Sequence, residues 1–337
     1  MYNYANLLLK NITSYTDHSG GNTMREKKGT KITILGVGNV GATIAYTLAV
    51  AGTCSDVVLI DINKEKAKGE AMDIRQGVSF GHNVEVYDGT YEDAADSDIV
   101  IVTLGVGRKP GQTRLDLAQT NVNIIKEVMP QIARFAPDAI YIIVSNPVDI
   151  LTYVTLKCTN LTPKQVIGSG TALDTSRLRA VLADHLELSP NSIHAYVFGE
   201  HGDSSFIPWS MTSIAGVEMD EYMESQNHQK FNDDEIIEEV RMAGSEVIKR
   251  KGATFYAIGM AVNKICDSIL RDANNIITVS YLINDKFGIN DICLSLPAVL
   301  GSNGIEREVT PKLTDEEIKK LQASAAALRE VIDQINF

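Results

Sequence analysis

A β-rich stretch from Lys31 to Leu35 runs straight into Gly36-Val37-Gly38-Asn39-Val40-Gly41, and Ala42 to Ala51 continues in a helical pattern. Strand, GxGxxG and helix in that order constrain the chain more than any other feature it carries. Gly36 permits a tight turn, Gly38 lets a pyrophosphate approach the backbone, and Gly41 lets the helix pack close to the strand. The helix start offers unpaired N–H groups to phosphate. Alone the motif is a weak signal, but a second apolar strand, Val57 to Ile60, follows and ends on Asp61. That is about 20 residues past the last glycine, where a dinucleotide fold needs an acid for the ribose hydroxyls. Ile62 comes next with no arginine beside it, so a 2′-phosphate would meet a carboxylate and find no cation. The expected cofactor is NAD rather than NADP. The plain alternative for Asp61 is a solvated turn residue.

Asp98 to Leu104 and Ala139 to Val144 are near-continuous apolar runs, the pattern of strands buried on both faces of a parallel sheet. Ligands in such sheets sit at the carboxyl ends of the strands. Those ends carry Gly105-Val106-Gly107 and Ser145-Asn146-Pro147. The Asn146 amide is therefore expected in the nicotinamide pocket, and Asn146-Pro147 is a candidate cis bond. An ordinary strand-ending turn fits the same residues. The fold class expected is α/β: a Rossmann-type doubly wound parallel sheet over residues 30–170, then an α+β substrate domain over 171–337. Residues 1–29 are expected to be a flexible extension, because Ser14 to Asn22 is polar and Gly-rich and Met24 looks like a second start. Asp233 to Lys251 reads as a long amphipathic helix with acids early and bases late, and Thr314 with Glu317 fits a capping box for a C-terminal helix.

The net charge of −12 argues against nucleic acid or anionic lipid as the main partner. No apolar run reaches the roughly 20 residues that span a bilayer. Cys54, Cys158, Cys266 and Cys293 are scattered without a CxxC pair, so they read as buried free thiols in a reducing compartment, the cytoplasm. The six histidines lack ligand spacing, and no metal is expected.

Two segments carry candidate chemistry. Gly105 to Arg114 is long, Gly-rich and cationic, between a buried strand and a helix that starts near Asp116. Glycines at both ends suit a hinged lid. Arg114 can then swing in to polarise a carbonyl, and Arg108 can meet whatever group the substrate carries away from the reacting carbon. An exposed basic loop is the plain alternative. The second segment is Glu200-His201-Gly202-Asp203, read with Asp174-Thr175-Ser176-Arg177. Asp174 and Arg177 share one helix face at a spacing of three. One can orient His201 as an acid/base group while the other holds an anion; a satisfied structural histidine is the competing reading.

With these motifs the chain resembles the lactate/malate dehydrogenase family. The match runs from about Lys31 to Phe337 through GVGNVG, RKPGQTRLDLAQTN, VSNPVDILT, GSGTALDTSRLR, GEHGDSS and KGATFYAIG. The resemblance implies hydride transfer between nicotinamide C4 and the C2 of a small 2-oxo or 2-hydroxy acid. It implies that His201 gives and takes the proton, that Asp174 holds its other ring nitrogen, that Arg177 grips the substrate carboxylate through a bidentate fork, and that Arg114 polarises the carbonyl. To Gly36, Gly38, Gly41, Asp61 and Asn146 it adds Val40, Lys66, Tyr91, Gly105, Ser145 and Ser169 for the cofactor, and it adds Thr254 for the substrate. It implies a homo-oligomer, a tetramer or dimer. Ser169 and the run Thr254 to Ile258 take the forms usual in the bacterial lactate branch. Arg179 and His194 match positions that bind fructose 1,6-bisphosphate in allosteric members of that branch; the alternative is two exposed basic residues.

Arg108 departs from the lactate pattern. Its position is normally glutamine in lactate dehydrogenases and arginine in malate dehydrogenases. Lactate and pyruvate place a methyl there, and malate and oxaloacetate a second carboxylate. An arginine sealed against a methyl is a buried unpaired charge, costing on the order of 3–5 kcal/mol. Against a carboxylate it gains a charge-assisted pair. The expectation is a lactate-type framework that favours oxaloacetate; the alternatives are a dedicated malate dehydrogenase, a dehydrogenase for bulkier 2-hydroxy acids, a catalytically silent NAD-binding sensor and a structural subunit.

Overall fold

The strands that read as continuous apolar runs form the middle of a sheet. The computed structural model describes residues 29–107 and 114–336. In chain order the first half contains β1 (Lys31–Leu35), α1 (Asn39–Ala51), β2 (Asp56–Ile60), α2 (Lys64–Gly77), β3 (Glu85–Asp88), β4 (Ile99–Val102), α3 (Arg114–Phe135), β5 (Ile140–Ile143), α4 (Val148–Cys158) and β6 (Val166–Gly168). Every residue of β4, β5 and β6 is buried, as a sheet covered on both faces requires. β1 pairs in parallel with β2 on one side and β4 on the other. The strand order therefore reverses between β1 and β4, and the crevice outside their carboxyl ends is where such sheets bind ligands.

The second half supplies α5 (Ala172–Leu186), β7 (Ile193–His194), β8 (Ser213–Ile214), β9 (Val217–Glu218), α6 (Met219–Ser225), α7 (Asp233–Lys251), α8 (Tyr256–Leu270), β10 (Asn275–Ile283), β11 (Ile292–Gly301), β12 (Gly304–Glu308) and α9 (Asp315–Gln334). Among the described residues the main sheet has nine strands in the order β12-β11-β10-β6-β5-β4-β1-β2-β3. The six strands from β6 to β3 are parallel, and β10 to β12 continue the sheet antiparallel. β10 joins β6 at Ser280↔Gly168, so one sheet runs through both halves of the chain. A second core forms where Leu178 and Leu182 of α5 meet Ile236 and Val240 of α7. Burying a leucine stabilises by about 1.5–3 kcal/mol, enough for these side chains to anchor the helix that carries Asp174 and Arg177.

Several ends differ from the sequence expectation for identifiable reasons. The helix expected from Ala42 begins at Asn39, inside the glycine motif, with Gly38 as its cap. The run expected as a strand from Asp98 to Leu104 is shorter, because the Thr103 hydroxyl turns aside to donate to Gly36 O at 2.6 Å and the chain then bends through Gly105 at φ +131°. The helix over Asp233–Lys251 and the Thr314–Glu317 capping box form as expected. α9 also reaches inward: the buried Ser324 hydroxyl accepts from the backbone N–H of Glu200 at 2.8 Å and so braces the chain just ahead of His201.

Candidate functional site

The turn after β1 requires glycine at two of its three glycine positions. Gly36 has φ +88°, and a Cβ on it would lie 2.8 Å from Thr103 O. A Cβ on Gly41 would lie 2.1 Å from Gly36 O, whereas one on Gly38 would meet nothing within 4 Å. Gly38 thus faces open space above the turn. No side chain caps α1 and no acid sits in its first turn, so its leading N–H groups face that space without competition. Asp61, at the end of β2, is held beside the turn: its Oδ2 accepts from Val37 N at 2.6 Å and its Oδ1 from Asn63 N at 2.8 Å. Each oxygen keeps a further lone pair for a diol. These residues fit a dinucleotide: the open backbone at Gly38 and α1 suits a phosphate group, and the Asp61 carboxylate suits a diol.

Val40 is half-buried on α1. Lys66 is exposed in the first turn of α2, and Tyr91 is half-buried against the main core. Neither side chain takes part in the hydrogen bonds that shape the glycine turn. Beyond β4, β5 and β6 lie Gly105, Ser145 with Asn146, and Ser169. Ser145 Oγ donates to Val102 O at 3.1 Å, and Ser169 N to Ile143 O at 2.8 Å, so the strand ends are tied across the sheet. Asn146 is exposed at the crevice, and Asn146-Pro147 is cis.

Asn121 of α3 organises this edge, and sequence reading passed over it. It is 3% exposed; its Nδ2 donates to Asn146 O at 2.7 Å and its Oδ1 accepts from Val106 N at 2.9 Å, linking the two loops. The signal was present: Asn121 is a polar residue on the face that carries Ala118, Val122, Ile125 and Met129, all buried.

The fold also brings His201, Asp174 and Arg177 into contact. Asp174 lies in the first turn of α5 at the end of β6 and is buried. Its Oδ2 is 2.5 Å from His201 Nδ1 and its Oδ1 accepts from Arg177 Nη1 at 2.9 Å. Burial opposes the charge on Asp174, but His201 and Arg177 together hold its carboxyl below the usual range. The Asp174 charge in turn raises His201 to about 8 against the effect of burial. The imidazole is therefore mainly protonated at neutral pH, with Nδ1–H on Asp174 and Nε2–H free to be given away.

Thr254 is half-buried in the link between α7 and α8. Arg108 lies outside the described residues; Arg114 opens α3, and its side chain lies outside them too. The extension expected over residues 1–29 also lies outside them, apart from Gly29. Arg179 and His194 are brought near each other: Arg179 Nε donates to Ala195 O at 3.1 Å, its guanidinium lies 5.4 Å from the Tyr196 ring centroid, and His194, next to Ala195 in the chain, is exposed at the end of β7. The four cysteines are free, with Cys54, Cys266 and Cys293 buried and Cys158 half-buried. Among the described residues no helix is long and apolar enough to cross a membrane.

Fold and crevice define a class, the NAD-dependent oxidoreductases with a Rossmann sheet and an appended α/β half. Two family models match: the lactate/malate dehydrogenase NAD-binding domain over residues 30–168 and the lactate/malate dehydrogenase alpha/beta C-terminal domain over residues 171–336. The L-lactate dehydrogenase of Acetivibrio thermocellus is 44% identical over 309 residues, covering 91% of this chain and 98% of that protein. L-lactate dehydrogenase 1 of Clostridium acetobutylicum is 45% identical over 314 residues, covering 92% and 99%. The solved structure of the minor L-lactate dehydrogenase from Enterococcus mundtii superposes with a TM-score of 0.88 at 39% identity, covering 91% of this chain and 99% of that one. The chain belongs to the lactate/malate dehydrogenase family.

Proposed function

We propose that the chain interconverts a small 2-oxo acid and its L-2-hydroxy acid, on the framework of the relatives named L-lactate dehydrogenase, and that Arg108 moves its preference from pyruvate towards oxaloacetate. The observation that carries the reading is Asp174 bridging His201 and Arg177. A chain that only senses NAD, or serves as a structural subunit, needs the glycine turn but no buried aspartate between a histidine and an arginine.

Residues 30–170 hold the cofactor and supply Arg108, Arg114 and Asn146 to the substrate, and residues 171–337 supply His201, Asp174, Arg177 and Thr254. Bound NADH supplies a hydride to the substrate C2. His201 Nε2–H gives its proton to the carbonyl oxygen, and the resulting neutral ring takes it back in the reverse direction. Asp174 keeps Nδ1 protonated throughout, so the ring always presents Nε2 to the substrate. Arg177 has one Nη1 hydrogen on Asp174; its remaining donors hold the carboxylate. Arg114 polarises the carbonyl, Arg108 faces the group beyond C2, Asn146 and Thr254 line the pocket, and Val40, Lys66, Tyr91, Gly105, Ser145 and Ser169 complete the cofactor site. NADH consumption followed by absorbance, with oxaloacetate and pyruvate compared, tests the whole reading; no consumption with either acid would sink it.

Gly244 of α7 faces the clamp, and a Cβ on it would lie 3.2 Å from Arg177 Nη2 and 3.6 Å from Nη1. Gly244→Ala is expected to press the guanidinium out of place and raise the KM for the 2-oxo acid about 10-fold, the effect of roughly 1–2 kcal/mol of overpacking. An unchanged KM would show that Arg177 yields without cost.

The homo-oligomer is proposed on two exposed apolar pairs. Tyr46 and Val50 of α1 are 60% and 58% exposed, and Tyr256 and Met260 of α8 are 67% and 68% exposed. The two helices pack side by side, with Gly259 so close that a Cβ there would lie 3.0 Å from Thr43 Cγ2. A second copy would cover both pairs, and a tetramer would follow from a further contact. Arg179 and His194 support a site for fructose 1,6-bisphosphate. Sedimentation velocity is expected to give a dimer or tetramer that Met260→Glu weakens, and fructose bisphosphate is expected to lower the KM for the 2-oxo acid in wild type but not in Arg179→Ala. A monomeric wild type refutes the first expectation, and no response to the bisphosphate refutes the second. The four free thiols, three of them buried, fit a cytoplasmic location.

A further inference from the structure

Asp149 occupies the first turn of α4 and is 2% exposed. Its Oδ2 accepts the backbone N–H of His201 at 2.8 Å. Its Oδ1 is sealed from solvent without a hydrogen-bond partner, and so is Oγ of Ser280 on β10. The two groups are near enough for the hydroxyl to favour the carboxylate but not in hydrogen-bond geometry. A buried carboxylate with one oxygen unsatisfied costs stability, and a buried apolar residue or amide would cost less. Asp149 faces His201 and Glu200 on one loop, Ser280 on β10 and Cys293 on β11. None of these is a lysine or arginine. His201 for its part faces Asp174 and Arg177 from α5 as well as Asp149 from α4. The charged form of His201 is thus the cation on which the Asp149 charge acts.

We propose that Asp149 is a positioning residue for the proton step: it fixes the main chain of His201 while Asp174 fixes the ring, and its buried negative charge helps to keep the imidazolium charged. Burial raises the Asp149 carboxyl to about 6, with Ser280 and the His201 N–H pulling the other way, so it is ionised where the enzyme is expected to work and neutral in acid. The proposal rests on His201 as the acid/base group, and the two can fail separately.

Asp149→Asn keeps an acceptor for the His201 N–H and removes the charge. The alkaline limb of 2-oxo acid reduction, which reports loss of the His201 proton, is expected to move to lower pH by roughly half a unit or more. The KM for the 2-oxo acid is expected to stay within about twofold of wild type. A carboxylate that only supports the fold would change Tm or kcat and leave the limb in place, and an unmoved limb overturns the proposal. Should Asp149→Asn not fold, Ser280→Ala removes one group that favours the carboxylate, and the acid-side inflection of the same profile is expected to rise; an unmoved inflection counts equally against Asp149. His201→Asn separates the two claims: if it stays active, the acid/base assignment fails, and if it is inactive while the Asp149→Asn limb does not move, only the present proposal fails.

Discussion

Replacing His201 with asparagine is expected to lower kcat for 2-oxo acid reduction by about 10²–10⁴-fold, the range for removal of a positioned general acid. The affinity for NADH should change little, because the glycine turn and Asp61 belong to the other half of the chain. The wild-type pH dependence gives the same prediction a sign. His201 is raised to about 8, first by the charge of Asp174. Reduction uses the protonated ring, so its rate should be full near neutrality and fall as pH rises through about 8. Oxidation of the hydroxy acid uses the neutral ring and should rise through the same value. Stability follows by linkage: the charged histidine contributes fully below its ordinary 6.5, and that contribution is lost as pH rises through about 8. Asp174, held below its ordinary 3.8, contributes above that value and loses its contribution in acid. Steady-state kinetics in both directions across this range, with thermal unfolding alongside, check all of it. A His201→Asn enzyme with wild-type kcat, or a reduction profile flat through pH 8, would refute the role.

Arg108→Gln is expected to reverse the substrate order. With Arg108, oxaloacetate should have the higher kcat/KM, because its second carboxylate pairs with the guanidinium while the methyl of pyruvate leaves that charge unpaired. Leaving a buried charge without its partner costs on the order of 3–5 kcal/mol, and about 1.4 kcal/mol is tenfold, so the ratio of the two kcat/KM values should swing by about 10²-fold or more. Specificity at this position is a difference between two closed complexes, and glutamine removes the attractive element for one acid and the repulsive element for the other. The comparison is four rate measurements, two acids by two enzymes. Wild type preferring pyruvate would refute the assignment of Arg108 as discriminator, and an unchanged order in the variant would place discrimination elsewhere, with Thr254 the next residue to test.

Different parts of this chain were legible for different reasons. The strand–glycine–helix unit and Asp61 were readable because each is a short-range rule: Gly36 is required by its own φ of +88°, and Gly41 by Gly36 O five residues before it. The capping box of α9 and the charge gradient of α7 are local in the same sense. His201, Asp174 and Arg177 were readable as residue types and, for the last two, as neighbours on a helix. That Asp174 bridges the other two was not, since it depends on the His201 loop returning to the start of α5 across 27 positions of chain.

By itself, then, the sequence determined the parallel sheet, the dinucleotide turn and the residue types that can move a proton and hold a carboxylate. These follow from periodicity and spacing over a few residues. Only the tertiary structure decided that β10 joins β6 so that one sheet runs through both halves, that Asn121 ties the 105–107 loop to Asn146, and that Asp149 lies under the main chain of His201. Each of these is a contact between groups far apart in the chain, selected by where buried polar atoms find partners once the core has closed, and no local pattern records that choice.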